Sequence, residues 1–341
     1  MKYLITGGAG FLGSNLSKKA LDNGESVIII DNLSRKGSEE NLKWLSEYGK
    51  INFYKVDIRD ADKVRQIIID NKPEIVFHLA GQVAMTNSLQ DPIKDFEINV
   101  LGTLNLLEST RRYSHDSVVL YSSSNKVYGD LKKYIYRESS TRFINVEFPN
   151  GFNEEIPLEF STPYGCSKGA ADQYVIDYFK TFGLRTVSFR HSSMYGGRQF
   201  STYDQGWIGW FVQKAIEQKY GNPDKFSISG SGKQVRDILH VDDVVELYFE
   251  AVSNIENIVG NAFNIGGGIE NSISIIELLS LLEKQFDISL KFYNIPERLN
   301  DQRVFIADYT KAKKLIGWHP TISMNHGILK MIEWTKDELK S

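Results

Sequence analysis

The 341-residue sequence contains one cysteine, Cys166. A single cysteine excludes an internal disulfide, and that absence suits a reducing cytoplasm. The six histidines show no ligand spacing, so no metal site is expected. No apolar run reaches the ~20 residues of a membrane span. A strand-like run opens at Tyr3, which leaves no room for a signal peptide. The formal net charge of -3 gives no basic excess to attract nucleic acid or a membrane surface. Repeats and low-complexity segments are absent. Hydrophobic residues make up 41% of the chain, enough for a large core and two lobes.

Up to about residue 190, apolar runs alternate with helical patterns. Strands are expected at 3–6, 27–31, 51–56, 74–78, 117–122 and 186–190, with helices between most of them. That alternation predicts an α/β fold built on a doubly wound parallel sheet. Residues 131–160 break the pattern, with mixed charge, Pro149-Asn150-Gly151 and little periodicity. A loop of that length just before Tyr164 is either a substrate cover, a subunit contact or a surface insertion without a role.

Three short stretches carry chemistry. The first, Gly7-Gly8-Ala9-Gly10-Phe11-Leu12-Gly13, follows an apolar strand and opens a helix expected over 11–23. Gly7 permits a tight turn, Gly10 removes a side chain that would block a pyrophosphate, and Gly13 lets the helix pack against the sheet. The helix N-terminus then faces the phosphates. A second strand ends in Asp31, whose carboxylate suits both adenosine ribose hydroxyls. It would repel a 2′-phosphate at contact by roughly 3–4 kcal/mol at an effective dielectric near 20. That favours NAD over NADP, although Arg35 and Lys36 lie close enough to neutralise a phosphate.

The second stretch, Tyr121-Ser122-Ser123-Ser124, closes an apolar run. The third is Tyr164-Gly165-Cys166-Ser167-Lys168, after Pro163 and at the head of a helical pattern. Residues four apart share a helix face, so Tyr164 and Lys168 point the same way. A phenol near pKa 10 is a poor base at neutral pH. A lysine ammonium and a nicotinamide cation nearby would lower that value. Ser124 can share the proton or position a substrate hydroxyl. Cys166 lies between the pair without a partner histidine, and a buried small side chain is expected there.

Together these stretches resemble the extended short-chain dehydrogenases/reductases, in the branch that modifies nucleotide-activated sugars. The resemblance spans essentially the whole chain. It extends through Asp57-Ile58, His78-Leu79-Ala80-Gly81, Asn99, Val235 to Asp243, and Arg298 to Asp308. It implies a Rossmann domain over 1–190 and about 236–262, and a smaller C-terminal α/β substrate domain over 191–235 and 263–341. NAD is the implied cofactor. Its implied binding residues are Gly7, Gly10, Phe11, Leu12, Gly13, Asp31, Asn32, Ser34, Arg35, Asp57, Ile58, Leu79, Ala80, Gly81, Asn99, Tyr164 and Lys168. Ser124, Tyr164 and Lys168 are the implied catalytic set. Thr86, Ser124, Asn125, His191, Ser192, Arg236 and Arg298 would meet the sugar nucleotide, the two arginines at its diphosphate, although Arg236 beside Asp237 is also open to a structural ion pair. Tyr195 would pack on the nucleotide, and Trp207 and Trp210 are either an aromatic wall or core. His240, Asp242 and Asp243 read as cap and packing residues.

Within this branch, 4,6-dehydratases carry Asp-Glu directly after the catalytic Ser/Thr, and UDP-glucuronate decarboxylases carry Glu at the second of those positions. This chain has Asn125-Lys126, which cannot act as a carboxylate pair. Oxidation at one carbon and return of the hydride remains, which is epimerisation. The resemblance further implies a CDP-sugar inverted at C2. The alternatives are a UDP-hexose 4-epimerase and a non-catalytic NAD-binding regulatory protein. Relatives pair through the helix after Asp95 and the Tyr164 helix, which implies a homodimer or homotetramer.

Overall fold

The computed structural model describes residues 1–222 and 224–340. In chain order the first strands are β1 (Lys2–Thr6), β2 (Ser26–Asp31), β3 (Ile51–Lys55), β4 (Ile75–His78) and β5 (Val118–Ser124). A short hairpin follows, β6 (Tyr136–Glu138) and β7 (Phe143–Asn145), and then β8 (Arg185–His191). The remainder contributes β9 (Ser193–Tyr195), β10 (Phe226–Ser229), β11 (Val235–His240), β12 (Ala262–Ile265), β13 (Ser272–Ser274), β14 (Phe292–Ile295) and β15 (Val304–Phe305). Seven strands form one sheet in the order β12-β8-β5-β4-β1-β2-β3, and every pairing in it is parallel.

The expected doubly wound α/β sheet is therefore present, and each of the six expected strands matches one of its strands to within a few residues. Strands buried on both faces must be apolar throughout, which is why Val27–Ile30 and Ile75–Phe77 read as unbroken apolar runs. Val27 and Ile29 join the cluster on one face, and Ile28 and Ile30 the cluster on the other. Strand order reverses between β1 and β4. β1 and β4 stay paired to Thr6 and His78, and the chain leaving them passes to opposite faces of the sheet, which opens a crevice where ligands of such sheets bind.

The expected boundary at 262–263 falls inside β12, which runs on to Ile265 as the sheet's edge. Strand β11 lies outside that sheet and pairs with β9, β13 and β15. A separate apolar cluster joins the helices Trp207–Lys219, Ile275–Phe286 and Met324–Glu338 through Phe211, Leu282 and Met331. The Ile275–Phe286 helix starts on a capping box, Ser274 with Glu277. His240 caps the helix after β11, and Asp243 accepts from Thr321 and Ile322, the cap and packing roles expected of them.

Residues 131–160 are more ordered than their composition predicts. Beyond the β6/β7 hairpin, Phe152 packs against Phe305 and donates its N–H to Ile306 O at 2.7 Å. Arg142 is ion-paired with Glu277 at 2.5 Å. The segment lines neither of the two cavities described below, so it braces the second lobe rather than covering the substrate. Among the described residues no helix is long and apolar enough to cross a membrane.

The Thr162–Phe182 helix is pinned to the sheet by a buried ion pair. Asp172 accepts from Arg190 of β8 at 2.7 Å and from Ser188 at 2.5 Å. Arg190 also donates to Tyr128 Oη at 2.9 Å. Arg190→Met leaves the Asp172 carboxylate buried without its partner. The expected loss, read by urea denaturation, is roughly 3–5 kcal/mol; a change within about 0.5 kcal/mol, ordinary for a surface substitution, would contradict that role.

Candidate active site

The turn after β1 forms the floor of the crevice. Gly7 has φ +68°, and a Cβ there would lie 2.9 Å from Ala80 N. A Cβ at Gly13 would fall 2.1 Å from Gly7 O, so the helix starts this close to the sheet only with glycine. Gly7, Gly10, Phe11, Leu12 and Gly13 line the crevice from this turn. Asp31, Asn32, Ser34 and Arg35 line it from the end of β2, Asp57 and Ile58 from the end of β3, and Leu79, Ala80 and Gly81 from the end of β4. Asn99 is placed differently. It is buried behind the wall, where Oδ1 accepts from Gln82 N at 2.9 Å and Nδ2 donates to Gln82 O at 3.1 Å. It holds the backbone next to Gly81 instead of facing the crevice.

This lining fits a dinucleotide. The glycine turn leaves bare backbone at the helix N-terminus, the setting that accepts a pyrophosphate. The Asp31 carboxylate accepts Ala9 N–H at 3.1 Å and Leu33 N–H at 2.8 Å, one on each oxygen. Each oxygen keeps acceptor capacity for a ribose hydroxyl. Arg35 and Lys36 line the same crevice, and Asp204 acts electrostatically on Arg35.

A second cavity adjoins the first, and Phe11, Leu79, Ser122 and Met194 line both. Ser124, Tyr164 and Lys168 meet at this junction. Parallel pairing sets Ser124, the last residue of β5, opposite His191 of β8. Pro163 lies in the first turn of the helix that carries Tyr164 and Lys168. Lys168 Nζ donates to Ser122 O at 2.6 Å and lies 4.4 Å from the centre of the Tyr121 ring. Burial lowers Lys168 to about 7, against the pull of Asp172 and Asp95. Burial also pushes Tyr164 up to about 12, opposed by its hydrogen bond with Ser124. The protein alone therefore does not depress the phenol as the sequence suggested. Loss of water outweighs the Ser124 hydrogen bond, the Asp95 charge adds to the rise, and the Lys168 ammonium spends its hydrogen bond on a carbonyl.

All seven expected sugar-nucleotide residues line the second cavity. Thr86 Oγ1 donates to Asp204 at 2.9 Å. Asn125 Nδ2 donates to Gln302 Oε1 at 2.9 Å. His191 Nε2 meets Tyr248 Oη at 3.1 Å; burial, with Lys168 adding to it, lowers its pKa to about 3, so the ring is neutral. The Ser192 hydroxyl donates to Asp237. Arg236 pairs with Asp301 at 2.6 Å and not with the adjacent Asp237. Arg298 donates to Tyr203 O at 3.3 Å.

Two further expectations change, and one left open is answered both ways. Tyr195 is buried in the second lobe with its ring edge-on to His240, and it does not line the cavity. Cys166 is exposed, because its helical position turns it away from the sheet. Trp207 and Trp210 both line the cavity wall, while also packing on the second lobe's apolar cluster. The sequence reading also missed Asp301 and Gln302 as partners of Asn125 and Lys126. Their separation of about 175 residues gives no local signal, although the Asp301–Phe305 stretch is distinctive.

Comparison with known proteins agrees with this geometry. Residues 3–266 match the model of the NAD dependent epimerase/dehydratase family. The chain belongs to that family. It is 57% identical to CDP-paratose 2-epimerase of Salmonella typhi, over 98% of this chain and 99% of that protein. It is 32% identical to UDP-glucose 4-epimerase of Mycolicibacterium smegmatis, over 99% of both. The crystal structure of UDP-glucose 4-epimerase with UDP-glucose from Thermotoga maritima superposes with a TM-score of 0.85 at 30% identity, over 99% of this chain and 100% of that one. UDP-glucuronic acid 4-epimerase from Bacillus cereus, in complex with UDP-glucuronic acid and NAD, gives 0.84 at 26%, over the same shares.

In this member of the NAD dependent epimerase/dehydratase family, Lys168 is a measurable burden on the fold. It titrates near 7 when folded, against 10.5 for the unperturbed side chain. Below about pH 7 the native state carries the full cost of a buried ammonium, and between those values the cost fades as pH rises. With NAD removed, Lys168→Met should raise the melting temperature more at pH 6 than at pH 10. An equal gain at both, or a loss at pH 6, would contradict the burial argument.

Proposed function

We propose that this chain inverts C2 of CDP-paratose to give CDP-tyvelose. The observation that carries this reading is the 57% identity to CDP-paratose 2-epimerase across nearly the whole of both chains. The site supports an epimerase over a dehydratase, because Asn125 and Lys126 supply no carboxylate after Ser124. In this reading residues 1–190 with 241–265 form the lobe that holds NAD, and the remaining segments, with Thr86, Ser124 and Asn125 from the first lobe, hold the sugar nucleotide. Both ligands are metabolites of the cytoplasm, where the enzyme would act.

Bound NAD supplies the hydride acceptor and, once reduced, the donor that no side chain can replace. The residues do the rest. Gly7, Gly10 and Gly13 would leave room for its phosphates, Asp31 and Asn32 would take its adenosine ribose, and Gly81, with its neighbour Gln82 held by Asn99, would border its nicotinamide. Tyr164 takes the proton of the C2 hydroxyl, and Ser124, which lowers the phenol's pKa and whose own hydroxyl now donates to Asn125 Oδ1 at 3.3 Å, would turn to position the sugar hydroxyl. Burial alone makes the phenol a weak acid, so the positive charges of Lys168 and the oxidised cofactor must offset desolvation before it can act. Arg236 and Arg298 hold the diphosphate as a pivot. The 2-keto sugar turns about that pivot, and Tyr164 returns the proton to oxygen.

The proposed assembly is a homodimer or homotetramer that pairs through the helical stretch after Asp95 and the Thr162–Phe182 helix. Exposed apolar side chains support it: Ile93 is 72% and Phe96 54% accessible, with Leu101, Tyr174 and Phe182 also exposed.

Purified protein given CDP-paratose should yield CDP-tyvelose by NMR and leave UDP-glucose unchanged. Conversion of UDP-glucose to UDP-galactose, with CDP-paratose untouched, would replace this reading by the 4-epimerase. Tyr164→Phe keeps the ring and removes the proton carrier. Its kcat should fall by about 10²–10⁴ while NAD stays bound; near-normal turnover would move the acid–base role elsewhere.

A further inference from the structure

The end of the sugar-nucleotide cavity carries more positive charge than the two arginines assigned to the diphosphate. Lys126 Nζ and Arg236 Nη2 both donate to one oxygen, Asp301 Oδ1, at 3.0 and 2.6 Å. That oxygen also accepts the N–H of Gln302 at 3.0 Å. Arg298 lies within electrostatic reach of Lys126. Lys126, Arg236, Arg298 and Asp301 all line the cavity. Asp130, the other carboxylate that interacts with Lys126, is paired with Lys132 at 3.0 Å. Around Asp301 the wall carries Lys126 and Arg236 in contact and Arg298 close by, while Asp204, the cavity's other carboxylate, bonds Thr86 and acts on Arg35; this end is therefore net positive, as a nucleoside diphosphate ester requires.

Lys126 is built into this wall. Its side chain is 16% exposed. An ammonium carries three donors, and among the described residues Asp301 is the one acceptor it uses. The turn that bears it is fixed by Gln302, which accepts from Asn125 Nδ2 and donates to Gly129 O at 2.7 Å. Lys126 stands in the turn directly after Ser124, and its charge lies beside Arg236 on the wall of the cavity that Ser124 also lines. A lysine held this way is a point charge that suits a phosphate oxygen.

We infer that Lys126 is a third cationic ligand of the substrate diphosphate, directed at the phosphate next to the sugar, with Asp301 spacing it from Arg236. This inference rests on the placement of the diphosphate at Arg236 and Arg298. Asp301 keeps two cations side by side that would otherwise repel each other. The cluster is thereby arranged for the dianion before it arrives.

The test is binding of CDP and CMP to the NAD-loaded enzyme by titration calorimetry. A charge-assisted hydrogen bond is commonly worth a factor of about ten to a hundred. Lys126→Met should weaken CDP by that factor and CMP by less than about threefold, because CMP lacks the second phosphate. Lys126→Arg, which keeps the charge and can still reach Asp301, should hold CDP within about fivefold of the wild type. Lys126→Gln serves as a second neutral variant should the methionine variant lose its NAD. Unchanged CDP binding in the neutral variants would overturn the inference, as would equal losses for CDP and CMP. The same titrations with UDP and UMP separate this outcome from the choice of base. Wild-type protein that binds UDP and not CDP overturns the CDP-sugar reading, and the lysine is then judged on the uridine pair.

Discussion

The site depends on the buried contact between Asp172 and Arg190. It fixes the Thr162–Phe182 helix across the ends of β5 and β8, with the side chains 0% and 6% exposed. Tyr164 and Lys168 lie on the first turns of that helix, while Ser124 and His191 end the strands beneath it. A slip of the helix by one residue would separate the phenol from Ser124. Arg190 also reaches Tyr128, whose hydroxyl donates to Asn264 of β12 at 2.8 Å. One charged pair thus ties the helix, the strand it covers, the turn after Ser124 and the sheet edge. Asp172 stands one helical turn beyond Lys168 and draws its pKa upward against burial. The contact that positions the lysine also helps to keep it charged.

The remaining polar groups divide the site by charge. The first crevice presents a carboxylate at Asp31, which in the proposed reading accepts from ribose hydroxyls. The adjoining cavity presents Lys126, Arg236 and Arg298, the proposed donors to a diphosphate. Between them the proposed acid–base group, the Tyr164 phenol, sits on the first turn of its helix beside the end of β5, buried away from bulk water. Its high intrinsic pKa suits a proton carrier that must both take and give back, provided that bound charge lowers it when the substrate is present. The missing carboxylates after Ser124 matter as much as the groups that are there, since Asn125 and Lys126 cannot act as the acidic pair of a dehydratase.

Much of this was legible in the chain because the relevant signals are local. Apolar runs bounded by glycine gave the sheet, as burial on both faces requires. The spacing of Gly7, Gly10 and Gly13 gave the turn, and the four-residue step gave the pairing of Tyr164 with Lys168. What failed to show required tertiary contacts. Asp301 meets Lys126 only because the approach to β15 lies over the turn after β5. The order in residues 131–160 comes from packing Phe152 on Phe305, not from a periodic pattern. Tyr195 and Cys166 exchanged expected environments because the residue types say nothing about which side of an element faces the core. The upward shift of Tyr164 is a desolvation effect that no motif encodes.

The central claim is that C2 is inverted by removing its hydrogen and returning the same hydrogen to the opposite face. The most direct measurement is turnover of CDP-paratose deuterated at C2, run in ordinary water and read by NMR and mass spectrometry, with unlabelled substrate run in D₂O beside it. The account predicts CDP-tyvelose that retains deuterium at C2 in the first reaction and gains no carbon-bound deuterium in the second. Loss of the C2 label to solvent, or deuterium entering carbon from D₂O, would contradict it.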